Sequence, residues 1–177
     1  DVFHKTKTDM RSCGALIATC NPSMTQFYYE VCYQQTGKEL MQNFGKFVKR
    51  AALQYKSQND AFPDDIIIFR DGVGEGQIKH VVNIEVKSIL ECLNSLKGFN
   101  GRVAEILVNK RIDKKLFKPI KDEVTNPEPG TLVTKEICQT SKEFYLASQE
   151  VFQGTATPTK YILIHNDTNF SLEQFYQ

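Results

Sequence analysis

A short apolar run, IIIF at residues 66–69, is followed at once by Arg70, Asp71 and a glycine-rich stretch at 72–77. Turn residues precede the run, so the pattern predicts a central strand that is buried on both faces and ends in a tight turn. On either side the period changes, because apolar side chains recur at helical spacing over 38–55 and over 78–96. A strand between two such segments predicts an α/β protein, in which helices pack against a sheet.

The remaining apolar segments predict a mixed sheet around this strand. An antiparallel hairpin is expected from residues 13–20 and 26–35, which flank an Asn-Pro-Ser turn sequence. Residues 1–4 are typical of the end of an earlier strand. Further strands are expected at 103–108, 131–138, 144–148 and 161–164, and a helix is expected to begin at Ser171. No linker-like segment divides the chain, so we predict a single domain over 1–177, truncated at both ends.

Charge and composition exclude several classes of protein. The chain has 22 Lys and Arg against 21 Asp and Glu, a net charge of +1, which excludes a uniformly basic nucleic-acid arm and an acidic disordered tail but not a local basic patch. No apolar run approaches the ~18 residues of a membrane-spanning helix, so we expect a soluble protein with no membrane partner. The five cysteines include no C-x-x-C pair, which favours reduced thiols and an intracellular location.

Three acidic side chains are candidates for a shared metal site. Asp71 follows the predicted central strand, Asp1 precedes strand-like residues, and Glu39 lies where the first long helix opens. Two of them have an ordinary alternative: Asp71 could cap the helix that follows it, and Glu39 could complement the dipole of the first long helix. Carboxylates brought together repel unless a cation neutralises them, and oxygen ligands suit Mg²⁺ or Mn²⁺. Two such ions could support phosphodiester cleavage.

A second candidate feature is basic and polar. Six cationic side chains crowd residues 110–121, namely Lys110, Arg111, Lys114, Lys115, Lys118 and Lys121. They could neutralise backbone phosphates, or they could form an ordinary solvated loop. Residues 149–161, which include Gln149 and Thr155, gather amides and hydroxyls that could position a nucleic-acid backbone without reading its bases. A plain polar loop fits that composition equally well.

Several strings, in order along the chain, resemble the PIWI domain of Argonaute and Piwi proteins. They are DVFH at 1–4, TGKEL at 36–40, FRDGVGEGQ at 69–77, NKRIDKKLF at 109–117, NPEPGTLV at 126–133, FYLASQEVFQGTATPTKY at 144–161 and HNDTNFSLEQ at 165–174. Each string alone is weak, whereas the combination is specific and covers essentially the whole chain. RDGVGEGQ, TGKEL and NPEPGT favour the Piwi branch.

The resemblance implies a ribonuclease H-like fold that holds a small guide RNA paired to a target RNA. In active members of the family the target is cut with Mg²⁺. Asp1, Glu39 and Asp71 match the family's catalytic Asp, Glu and Asp, with Asp1 and Asp71 expected as metal ligands. A fourth catalytic residue, His or Asp, would lie beyond Gln177, so the excised chain is expected to be inactive alone. Cleavage therefore stays open, and the alternatives are a guide-directed RNA-binding module or a nuclease of the same fold without a guide.

The resemblance also implies RNA contacts and partners. Lys110, Arg111 and Lys115 match basic positions that contact RNA backbone, and Gln149 and Thr155 are further predicted RNA-binding residues. The expected partners are a small guide RNA, of the piRNA class in the Piwi branch, its complementary target RNA, the rest of an Argonaute or Piwi chain, and silencing effectors. The expected location is cytoplasmic, nuclear or both.

Overall fold

The computed structural model describes residues 2–3, 11–35 and 43–176. The strands are β1 (Val2–Phe3), β2 (Arg11–Thr19), β3 (Phe27–Gln35), β4 (Asp65–Asp71), β5 (Arg102–Asn109), β6 (Lys118–Ile120), β7 (Glu123–Thr125), β8 (Thr131–Val133), β9 (Glu143–Ala147) and β10 (Thr159–Asn166). The helices are α1 (Phe44–Asn59), α2 (Ile78–Val81) and α3 (Lys87–Asn94). A π-helical turn, Val82–Val86, joins α2 to α3, and single 3-10 turns lie at Glu75–Gln77 and Leu172–Phe175.

Five of the described strands form a mixed sheet, as the sequence predicts. Its order is β4-β5-β10-β9-β8, with β4 and β5 parallel and the remaining neighbours antiparallel. The predicted hairpin is present as β2 and β3, and β1 pairs antiparallel with β2. A short hairpin of β6 and β7 was not predicted, because it lies in a lysine-rich segment with exposed side chains.

Helices α1 and α3 pack together over one face of this sheet. Their buried side chains form the main core with the start of β5: Phe44, Phe47, Val48, Ala52, Ile89, Leu93 and Val103. A smaller core lies nearer the carboxyl end of β4 and contains Val73, Val81, Leu107 and Ile162. Both helical predictions are confirmed in type, although α1 begins at Phe44 among the described residues and the second helical stretch contains the π-helical turn.

The prediction that residues 66–69 are buried on both faces is wrong. Ile66 and Ile68 pack against the main core, whereas Ile67 is 41% exposed and Phe69 is 58% exposed on the opposite face. The helices cover only the first face, and β4 is the end strand of the described five-stranded order. The strand that is buried on both faces is its neighbour β5, in which all six residues of 103–108 are buried.

Two smaller differences concern the last third of the chain. The strand predicted at 131–138 ends at Val133, because the chain turns back with the Cys138 N–H donating to the carbonyl of Lys135 at 2.7 Å. The helical start predicted at Ser171 is present as a single 3-10 turn, with the Ser171 N–H donating to Oε1 of Gln174 at 2.9 Å. Within the described ranges, no helix is both long enough and apolar enough to cross a membrane.

Candidate catalytic carboxylate and nucleic-acid interface

Three chain segments meet at the end of the sheet where strands β4 and β5 finish and strand β10 begins. The parallel register places Asp71 beside Val108, so β4 and β5 end together, and Asn109 pairs with Lys160 near the start of β10. The residues that follow β4 and β5 and those that precede β10 therefore share this edge. We call it the strand-end edge, residues 110–121 the basic segment, and residues 148–158 the polar loop. Such edges are where α/β sheets usually place their functional sites.

Asp71 lies at the tip of β4 and its side chain is 28% exposed. Strand alternation places it on the open face, opposite the helices. Its Oδ2 accepts a hydrogen bond from Nζ of Lys110 at 2.5 Å, and its Oδ1 accepts one from the N–H of Gly72 at 2.8 Å. The first helical turn begins only at Glu75. These two contacts are not those of a helix N-cap, so the capping alternative is not supported.

The metal-site prediction can be followed for only one of its three carboxylates, because Asp1 and Glu39 lie outside the described residues. Within 2–3, 11–35 and 43–176, no three His, Cys, Asp or Glu side chains are grouped so as to hold a metal ion. Asp71 is suited to be one ligand, since it is a partly exposed hard-oxygen donor whose Oδ2 already binds a cationic group. The shared metal site remains a prediction.

The basic segment divides into outward and inward side chains. Lys110, Arg111 and Lys115, the three predicted RNA contacts, are all exposed. Lys110 binds Asp71, and Nζ of Lys115 donates to Oγ1 of Thr157 in the polar loop. Lys114 instead points inward and donates to the carbonyl of Ile137 at 2.7 Å. The charge of this segment is therefore directed partly at Asp71 and partly at solvent along the strand-end edge.

Asn126 holds the polar loop in place, a role that the sequence did not predict. Its Nδ2 donates to the carbonyl of Gly154 at 2.8 Å, and its Oδ1 accepts from the N–H of Ala156 at 2.9 Å. The loop presents Gln149 and Thr155 as exposed side chains. The only signal for Asn126 was its place in the family-like string NPEPGTLV, which assigned it no function.

A buried charged cluster lies on the helix side of β4, directly behind Asp71. Arg70 and Glu85 are each 1% exposed and form an ion pair. Nε of Arg70 donates to Oε2 of Glu85 at 2.9 Å, and Nη2 of Arg70 donates to Oε1 of Glu85 at 3.2 Å. Glu105 on β5 is fully buried, and both its carboxyl oxygens lack a hydrogen-bond partner. Burial, reinforced by the charge of Glu85 and opposed by Arg70, raises the pKa of Glu105 to about 8. No sequence pattern predicted this cluster.

Comparison with known proteins places these features in a family context. The Piwi domain family model matches residues 1–177. Piwi-like protein Siwi of Bombyx mori is 36% identical over 173 residues, which is 97% of this chain. Piwi-like protein Ago3 of the same organism is 34% identical over an alignment of 178 positions, gaps included, that covers 98% of this chain. The chain spans only 19% of the length of each of these relatives.

Solved structures agree in fold. The C-terminal lobe of a budding yeast Argonaute has a TM-score of 0.86 at 27% identity, covering 98% of this chain and 38% of that one. Kluyveromyces polysporus Argonaute with a guide RNA has a TM-score of 0.83 at 28% identity, covering 98% and 23%. Drosophila Piwi has a TM-score of 0.77 at 27% identity, covering 94% and 22%. These similarities confirm the predicted ribonuclease H-like fold.

Proposed function

Because this chain belongs to the Piwi domain family, we propose that it binds a small guide RNA paired to a target RNA. We propose further that it cleaves the target and thereby contributes to RNA silencing. The observation that carries the proposal is the position of Asp71, which projects a carboxylate beside exposed cations at the strand-end edge. This chain spans 19% of the length of those two relatives. The binding of a guide and a target RNA, and the longer protein that would contain this chain, are therefore proposed as well.

The exposed side chains of the strand-end edge suit an RNA duplex. Proteins recognise A-form duplexes by shape and phosphates and not through the deep major groove. Arg111 and Lys115 supply positive charge, and Gln149 and Thr155 supply hydrogen-bonding groups that need not read bases. Base pairing between guide and target would supply the sequence specificity. The guide RNA in the Kluyveromyces polysporus Argonaute structure supports this part of the proposal.

The cleavage chemistry is assigned to Asp71 together with Asp1 and Glu39. These three would hold Mg²⁺ or Mn²⁺, which when bound activates a water molecule and stabilises the leaving oxygen of a phosphodiester. Lys110 donates a hydrogen bond to Oδ2 of Asp71. Because its side chain is flexible, its ammonium group can move from that oxygen to a phosphate. Asp71 would then be available as a metal ligand while the phosphate charge is neutralised.

A guided cleavage assay tests the proposal. The full-length protein that contains this chain, loaded with a guide and given complementary RNA and Mg²⁺, is expected to make one cut. Asp71→Asn should abolish the cut while the guide stays bound. Asp64→Asn, beside the opposite end of β4, is the matched control and should cut normally. Normal cutting by Asp71→Asn would refute the catalytic assignment.

Two other results would select the alternatives. Guide-dependent retention of the target without any cut by the unaltered protein would favour a silencing module that only binds RNA. Purification of the protein without any small RNA, combined with cleavage that needs no guide, would favour an unguided nuclease of the same fold.

A further inference from the structure

The peptide group that joins Asp71 to Gly72 is hydrogen-bonded on both sides. Its carbonyl oxygen accepts from Nη1 of Arg70, and its N–H donates to Oδ1 of Asp71 at 2.8 Å. Gly72 has φ +85°, a conformation that costs glycine little. Because the peptide group is planar and rigid, the guanidinium that fixes its carbonyl also fixes the direction of the N–H. The orientation of the Asp71 carboxylate is thereby coupled to the position of Arg70.

The guanidinium itself is held from the helix layer. Glu85 binds it with both carboxylate oxygens, through Nε at 2.9 Å and Nη2 at 3.2 Å. Glu85 lies in the π-helical turn Val82–Val86, where Glu85 and Val86 are both buried. Such turns are rare in proteins and occur frequently at functional sites. Contacts thus run from the π-helical turn through Arg70 to the peptide that orients Asp71.

This arrangement is poorly explained as a contribution to stability. A buried ion pair loses much of its attraction to desolvation, and apolar residues of similar volume often serve folding as well or better. The same small region also buries a second carboxyl group, Glu105, whose oxygens have no hydrogen-bond partner. A cluster that is costly to bury and lies directly behind a candidate catalytic residue is expected where its geometry serves function.

We propose that Arg70 and Glu85 are positioning residues for Asp71: the ion pair fixes the 71–72 peptide, and the peptide orients the carboxylate that would bind the metal. The inference rests on the proposed function and assigns a part of the same site. Neither Arg70 nor Glu85 needs to touch RNA or metal in this role, since both act through the backbone of Asp71.

The test replaces the pair without leaving a buried charge unpaired. The double variant Arg70→Met with Glu85→Leu keeps apolar volume in place of the ion pair and should remain folded. The matched control is Arg102→Met with Asp65→Leu. It removes a bidentate pair, at 2.8 and 2.9 Å, from the opposite end of β4 and β5.

Two measurements are made on both double variants. Without metal, the amide of Gly72 should exchange its hydrogen about tenfold faster in the Arg70 and Glu85 variant, relative to the amides of β5, since one hydrogen bond is loosened. In guided cleavage, the Mg²⁺ concentration for half-maximal rate should rise several-fold, with the rate partly restored at high Mg²⁺. The control variant should change neither quantity.

Gly72 exchange within twofold of the unaltered protein, together with an unchanged Mg²⁺ requirement, would overturn the proposal. Should the double variant fail to fold, Arg70→Lys is measured in the same way, because a lysine keeps the charge but cannot span Glu85 and the Asp71 carbonyl together. If the unaltered full-length protein does not cleave RNA at all, the proposed function fails, and the Gly72 exchange rate still decides whether the pair positions Asp71.

Discussion

Glu105 offers a quantitative test of the buried cluster behind Asp71. Its pKa is raised to about 8, from an ordinary value of 4.5, chiefly by burial. The folded protein therefore binds the proton more tightly than the unfolded chain does, and folding stability falls as the pH rises from the unfolded pKa to the folded pKa. The free energy of unfolding falls by about 1.4 kcal/mol per pH unit between these two pKa values. The raised pKa of Glu105 therefore lowers the stability of the fold by about 3 kcal/mol near pH 7 and by about 5 kcal/mol above pH 8.

Glu105→Gln removes the titration and leaves the shape of the side chain almost unchanged. Urea unfolding from about pH 5 to about pH 8 should show the variant gaining stability relative to the unaltered protein by about 1 kcal/mol per pH unit. The control is Glu123→Gln on the exposed strand β7, which should give a constant difference. A constant difference for Glu105→Gln as well would refute the reasoning, because it would mean that the carboxyl group ionises in the fold as readily as in the unfolded chain.

Three further predictions concern the interface and the core. The double variant Arg111→Glu with Lys115→Glu should weaken RNA binding for every sequence and reduce the slope of log affinity against log salt by ~2. The control Lys97→Glu, which precedes the start of β5, should leave that slope unchanged. An unchanged slope for the double variant would mean that Arg111 and Lys115 do not contact phosphates. Asn126→Ala should lower the free energy of unfolding, measured with urea, by ~1–3 kcal/mol and should make proteolysis within the polar loop faster. An unchanged rate of proteolysis would contradict the inference that Asn126 holds the polar loop in place. Gly45→Ala should lower the thermal unfolding midpoint by the equivalent of ~1–3 kcal/mol, because the added methyl would meet the backbone of α3; an unchanged midpoint would show that the helices separate freely.

The sequence predicted those parts of the fold that depend on local patterns. Helical periods found α1 and the α2–α3 stretch, and two strand-like segments on either side of a turn sequence found the hairpin of β2 and β3. Neighbouring residues alone set these patterns. They could not show that β4 is exposed on one face, because the position of a strand in a sheet depends on distant pairing. Ile67 and Phe69 are as apolar as Ile66 and Ile68, and only the one-sided helix layer separates them.

The candidate site shows the same division. Asp71 was predicted because a strand, an acid and glycines are adjacent in the chain. Asn126 and Glu85 were missed because each acts on groups far away in sequence, at 154–156 and at Arg70 respectively. Lys114 could not be distinguished from its exposed neighbours by charge alone, and only the carbonyl at 137 and the hydroxyl of Tyr145 turn it inward.

Diffraction at the manganese absorption edge, from crystals of the protein soaked in Mn²⁺, tests the shared carboxylate site most directly. We predict an anomalous peak between the carboxylates of Asp71 and Asp1, near Glu39, with the ammonium of Lys110 withdrawn from Asp71. Mn²⁺ bound only at other sites, with Asp71 still hydrogen-bonded to Lys110, would contradict a metal-dependent role for Asp71.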